Sequence, residues 1–316
     1  MDNLSFGVAQ VRVPDNHSEG NVERPWTFTF VTLNLYTAKE DPKNHFIVRA
    51  VKEVDDQQFV DIVKSYGKDT AILFVHGYNN SFEDGIFRLA QIVFDGQLFD
   101  VVPVLFSWPS RNNVLAYRYD EDSADLSAEY LLDVLNLLQT KAHIKTVHII
   151  AHSMGNRIVL NALDRAANWL KHRPLGELVF AAADIDRKRF TQLAETVQQV
   201  AHGMTLYASA DDEALWWSGE ISSEMPRAGT VTKDGPVIVK GVESIDMTAA
   251  NRSSLAQNLL DLDPLGLNTH NSFVSPVIVD IARLVLKGEH PPNSRTSSIH
   301  SVPEGAYSPR YWRYVN

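Results

Sequence analysis

Within "TAILFVHGY" (70–78), Ala71 to Val75 are all apolar. A strand with one face in water alternates polar and apolar residues. A strand with no alternation is one buried on both faces of a parallel sheet. A stretch with helical periodicity follows at once: "SFEDGIFRLAQIVFDG" (81–96) has Ser81 as an N-cap and Phe87, Ala90, Val93 and Phe94 on one stripe. The same order then recurs. "VVPVLFSWPS" (101–110) reads as a strand, and a helix is predicted from about Ser123 to Thr140, with Leu131, Val134, Leu135 and Leu138 on its apolar face. Strands at 146–151, 177–185, 203–212 and 236–248 interleave with helices at 154–170, 187–201 and 272–288. Upstream, 26–35 and 45–51 read as strands and 57–67 as a short helix closed by Gly67. Strands alternating with helices build βαβ units, so the fold class is α/β, with a mostly parallel central sheet and helices on both faces. Residues 1–288 are taken as one domain, with the strands of 1–52 included. Residues 289–316 read as a polar tail, and their closing "YSPRYWRYVN" is aromatic enough to dock.

Composition narrows the function classes. Asp and Glu outnumber Lys and Arg by 39 to 29, a formal net charge of −10, and no cationic run interrupts the chain. That argues against a nucleic-acid partner, which needs clustered cations. The acidic group Asp120, Glu121, Asp122 and Asp125 reads as a solvated helix start. There is no cysteine, which removes disulfides and thiolate chemistry. No run of about 18 apolar residues is present, so no membrane span is expected. The first residues carry no basic-then-apolar signal pattern, which fits either a cytoplasmic protein or one exported after losing a leader. Neither a metal motif nor a phosphate loop occurs, so no cofactor is expected.

The segment "TVHIIAHSMGNRIVLNAL" (146–163) carries the chemistry. Ser153 sits between a strand and a helix, with Ala151 two residues before it and Gly155 two after. It is either a helix cap or a nucleophile on a strained strand–turn–helix elbow, a turn tight enough to require small neighbours. A serine nucleophile needs a base. Five histidines follow Ser153. His172 and His202 fall at predicted helix ends, and His290 and His300 fall in the tail. His270, in a loop between the last predicted strand and the last helix, is the candidate base. Two N–H groups should face the oxyanion: those of Met154, next to the nucleophile, and Tyr78, in the "HGYNN" loop opened by Gly77. His76 is expected to brace that loop, and Asn79 and Asn80 to shape its turn. For the triad acid, Asp211 and Asp212 follow the strand after which it usually comes. Asp184, one strand earlier, is an alternative acid or a cap for the helix near Arg187. Trp108, Trp216 and Trp217 are candidate pocket walls.

At these blocks the sequence resembles a bacterial alpha/beta-hydrolase family of unknown function, esterase- and lipase-like. The matching stretches include "ILFVHGYNNSFEDGIFRLAQIVFD", "FSWPS", "IIAHSMGN", "AAADIDRKRF", "YASADDEAL", "RAG" (227–229), "GVESIDMT" and "LNTHNSF". The resemblance aligns Ser153, Asp212 and His270 with the family's triad, and so selects Asp212 over Asp211. It implies a serine hydrolase acting on a small-molecule ester. An acyltransferase, amidase or thioesterase with the same site, and a non-catalytic binding module on the same fold, are the alternatives. No long lid insertion is visible, so short or medium acyl chains are expected.

Overall fold

The computed structural model describes residues 4–25, 27–30, 33–37, 39–111, 116–210, 226–252 and 273–316. Asp211, Asp212, Trp216, Trp217 and His270 lie outside the described residues.

The chain opens with β1 (Phe6–Arg12), β2 (Thr27–Phe30), β3 (Leu33–Thr37) and β4 (Ile47–Val54). β1 pairs with β4 and β2 with β3, both antiparallel and both apart from the main sheet. Then come α1 (Asp56–Ser65), β5 (Thr70–Val75), α2 (Phe82–Asp95), β6 (Val102–Phe106), α3 (Tyr117–Asn136), a π-helical turn (Leu137–Lys141), β7 (Thr146–His152) and α4 (Gly155–Leu170). After these follow β8 (Leu175–Ala181), α5 (Arg187–Val197), β9 (Ala201–Ala208), β10 (Glu243–Asp246), α6 (Ser275–Lys287), α7 (Pro292–Arg295), β11 (Ile299–Val302) and β12 (Tyr311–Tyr314). The main sheet has eight strands in the order β11-β12-β10-β9-β8-β7-β5-β6. Its ladders are parallel except for β11 against β12.

Two cores follow from the side-chain alternation of the strands. Ala71, Leu73 and Val75 of β5 face α1, α3, α4 and α5, with Val60, Leu131, Ile158 and Phe190 in the same cluster. Ile72 and Phe74 face α2 and α6, with Leu89, Ile92, Val277 and Ile281. The uninterrupted apolar run of β5 is thus the sum of two buried faces. The helix starts also follow sequence chemistry. Ser81 caps α2 in a capping box with Asp84, and Asp55 does the same for α1 with Gln58. Gly67, just past α1, takes φ +65°, where a side chain would be strained.

Three features differ from the sequence reading. The helix of the second crossover starts at Tyr117, six residues early, and its acidic group is not simply solvated. Asp120 is buried and accepts hydrogen bonds from Ser110 Oγ at 2.7 Å and the Arg111 N–H at 3.0 Å. Asp125 and Glu121 hold Arg157 of α4, the former through two contacts of 2.7 Å. Secondly, β10 covers only four residues of the expected 236–248 strand. Thirdly, 289–316 is more than a docked tail: it supplies α7 and the two strands at one edge of the main sheet, with Ile245 and Asp246 of β10 in register with Trp312 and Arg313. Polar anchors hold this segment, which is why its composition conceals it. Arg295 is wholly buried. It contacts Asp280 at 3.3 Å and Glu243 at 2.9 Å.

Candidate active site

The chain turns from β7 into α4 through two residues, Ser153 and Met154. Ser153 takes φ +50°. A left-handed serine costs roughly 1–3 kcal/mol and persists only where its surroundings fix it. They do so from both sides. The Ser153 N–H donates to Ala181 O at 3.0 Å, and Ser153 O accepts from the N–H groups of Asn156 and Asp184, each at 3.2 Å. Asn156 Nδ2 donates to the same oxygen at 2.8 Å and to Ala181 O at 3.1 Å. The buried Asn156 therefore staples the turn to β8. Sequence reasoning passed over it, although a polar amide in the first turn of an otherwise apolar helix face was the available signal.

The small neighbours are required. A Cβ on Gly155 would lie 2.6 Å from Val75 O and 2.7 Å from His76 O, both backbone atoms. A Cβ on Gly77 would lie 2.8 Å from Ser153 Cβ. The loop after β5 thus passes directly against the serine, and Tyr78 follows at that point. Ser153 is 1% exposed, and its Oγ has no hydrogen-bond partner among the described residues. It does not cap α4, whose first turn carries no side-chain cap bond. The helix-cap reading of Ser153 is therefore set aside: its Oγ accepts no N–H of the first turn. No described acceptor takes the Met154 N–H, so it has a donor to offer beside that hydroxyl.

His76 and Trp108 buttress the loop. The Trp108 N–H donates to His76 Nε2 at 3.2 Å, so His76 Nδ1 carries the proton and donates to Gly77 O at 2.8 Å. Burial pushes the His76 pKa down, in keeping with this neutral tautomer. The Trp108 ring is buried, stacked on His76 at 5.4 Å, and its indole N–H donates to His76 O at 2.7 Å. Asn79 takes φ +54° in the same loop.

Asp184 lies behind the serine. Its carboxylate is buried, accepts from the Tyr117 hydroxyl at 2.9 Å and contacts Arg227 Nε at 3.3 Å. It does not cap α5. That role belongs to Asp186, which accepts from the N–H groups of Lys188 and Arg189 at 2.9 and 3.0 Å. Arg227 and Tyr117 are two further residues that sequence reasoning did not single out for this place. On the other side, the Phe273 ring packs 5.3 Å from the His152 ring, and Phe273 O accepts from Gln91 Nε2 of α2 at 3.2 Å. The remaining histidines serve elsewhere: His202 lies within β9, and His290 bridges Glu177 and Glu243.

Residues 52–262 match the family described as "Alpha/beta hydrolase of unknown function (DUF900)". The chain belongs to this family. A curated relative of this DUF900 alpha/beta hydrolase is an uncharacterized protein of Nostoc sp., 26% identical over 157 residues. The match covers 42% of this chain and 41% of that protein, so the chain spans about two-fifths of its relative's length. Among solved structures, a lipase-esterase related protein from Clostridium acetobutylicum aligns with TM-score 0.28 and 12% identity over 62% of this chain and 95% of that one. Phospholipase PlaB from Legionella pneumophila, in complex with thio-NAD, aligns with TM-score 0.30 and 15% identity over 70% and 64%. In this DUF900 hydrolase, no described helix is long and apolar enough to cross a membrane.

Proposed function

We propose that this chain is a serine hydrolase that cleaves carboxylic esters through an acyl-enzyme. Ser153 Oγ attacks the acyl carbon, and His270 takes its proton and later returns it to the leaving alkoxide. Asp212 orients His270, and the N–H groups of Met154 and Tyr78 receive the oxyanion. Water then releases the acid. The observation that carries this reading is the left-handed Ser153, whose hydroxyl has no described partner and abuts the Gly77 loop. A serine with only a structural task has no need of that strain.

The chain on either side of the undescribed positions supports the partners. Phe273 is anchored beside His152 and stands three residues after His270, a tether of about 10 Å. Ala210, whose N–H donates to Thr248 Oγ1 at 2.9 Å, directly precedes Asp211 and Asp212. Asp184 is a poorer candidate acid, because Arg227 and Tyr117 already engage its carboxylate. We retain the expectation of short or medium acyl chains.

The test is a fluorophosphonate probe combined with a panel of nitrophenyl esters of increasing chain length. Wild-type protein should label once, at Ser153, and hydrolyse the shorter esters. Ser153→Ala should stay folded and lose both properties. Labelling that survives in the variant would overturn the assignment.

A further inference from the structure

The Arg227–Tyr117–Asp184 cluster is a buried polar unit next to the serine turn. Tyr117 donates to Asp184 Oδ2 at 2.9 Å, Arg227 Nη2 donates to Tyr117 Oη at 3.3 Å, and Arg227 Nε faces Asp184 Oδ1 at 3.3 Å. All three residues are buried. Burying an ion pair brings little or no net stability, since the desolvation of both charges offsets their attraction. Such a unit is therefore better explained by what it positions.

It touches both halves of the proposed reaction centre. The Asp184 N–H donates to Ser153 O, and the Tyr117 ring meets the Tyr78 ring edge-on at 5.4 Å. The unit also gathers separate pieces of chain: the start of α3, the β8–α5 connection, and the segment around 227–229. That segment is fixed independently. The Gly229 N–H donates to Ala183 O and the Ala228 N–H to Ile185 O, each at 2.9 Å. A Cβ on Gly229 would come within 2.4 Å of Ala182 C and Ala183 N, beside a second left-handed residue, Ala182 at φ +45°.

We propose that Tyr117, Asp184 and Arg227 are positioning residues that hold the nucleophile turn and the Tyr78 loop in register, so that the Met154 and Tyr78 N–H groups converge on one oxyanion. This rests on the serine-hydrolase reading above. None of the three touches the reacting atoms. Asp184 fixes the turn through its main chain, and its carboxylate fixes Tyr117, whose ring props Tyr78. Donors misplaced by a fraction of an ångström would weaken transition-state binding and leave ground-state binding nearly intact.

The experiment uses full-length protein with Tyr117→Phe, which deletes only the hydroxyl, and Arg227→Lys, which keeps the charge and removes the fork. Each is assayed below its melting temperature. We expect kcat to fall about tenfold, equivalent to about 1.4 kcal/mol of transition-state stabilisation, with KM within about twofold. Affinity for a boronic acid, whose tetrahedral adduct mimics the oxyanion, should fall in step with kcat/KM. The rate constant for fluorophosphonate labelling of Ser153 should fall as well. A folded Tyr117→Phe with wild-type kcat and labelling rate overturns the positioning role and leaves the hydrolase reading standing. So does a loss of rate that only tracks the unfolded fraction. Failure of wild-type Ser153 to label overturns the hydrolase reading, and the positioning role with it.

Discussion

The narrowest tolerances in this molecule are at single atoms around Ser153. Gly155 has two backbone oxygens within 2.7 Å of where a Cβ would stand, and neither can move without shifting β5. Gly155→Ala should therefore cost at least about 1–3 kcal/mol, the usual range for overpacking, and lower the thermal midpoint by several degrees. Gly77→Ala meets the Ser153 side chain itself. It should spare more of the stability and instead cut kcat, which steady-state kinetics beside a thermal melt would separate. The two candidate acids separate in the same way. Losing the orienting acid costs about 10⁴ in turnover in the trypsin-type case. Asp212→Asn should therefore be crippled in kcat with its melting point nearly unchanged. Asp184→Asn breaks the buried pair with Arg227 and should lose about 3–5 kcal/mol of stability, with a milder kinetic loss. The assignment of the acid is reversed if Asp184→Asn is the kinetically dead variant and keeps its stability.

At the scale of elements, legibility followed the kind of force involved. β5, β7 and β8 are buried on both faces, so their apolar runs announced them, and α2 announced itself through its Ser81 cap and its stripe. Ser81→Ala should cost about 1 kcal/mol, read from a denaturant midpoint, because it removes a capping box. The elbow was readable because the small residues around Ser153 reflect a steric demand that leaves a mark in the sequence. Elements held by polar partners distant in the chain were not readable. Nothing local in "YDEDSAD" shows that Asp120 turns inward to the Ser110–Arg111 turn, or that Asp125 reaches Arg157 on another helix. The positioning unit was hidden for the same reason: Tyr117, Asp184 and Arg227 are 110 residues apart at their extremes and share no periodicity. β11 and β12 are four residues each in a Pro- and Ser-rich stretch, and the charges that fix them come from β8, β10 and α6.

Across the whole molecule, that charge network sits at the strand ends opposite the serine. Glu177 lies at the start of β8 and Ser153 just beyond the end of the adjacent parallel strand β7. His290, just before α7, faces Glu177 Oε2 at 3.4 Å and Glu243 Oε1 at 2.9 Å, and Glu243 also holds Arg295 at 2.9 Å. His148, which accepts from the Glu177 N–H at 3.0 Å, is held neutral by burial, its pKa pushed down to about 4. Hydrogen bonds donated by the His290 ring to the carboxylates of Glu177 and then Glu243 raise its pKa to about 9. An unfolded histidine titrates near 6.5. The folded form therefore holds its proton more tightly, and linkage gives the sign: this stabilisation is fully present below about pH 6.5 and drains away as the pH rises through about 9. Thermal melts between pH 6 and 10 should show a falling midpoint, and His290→Gln should flatten that fall. Hydrogen exchange should show β11 and β12 losing protection first, because α7 and the two edge strands depend most on this anchor. Under the serine-hydrolase proposal, ester hydrolysis at low temperature should keep its wild-type pH profile in His290→Gln. If His290→Gln melts with the wild-type pH dependence, the bridge to Glu177 and Glu243 does not couple protonation to the fold.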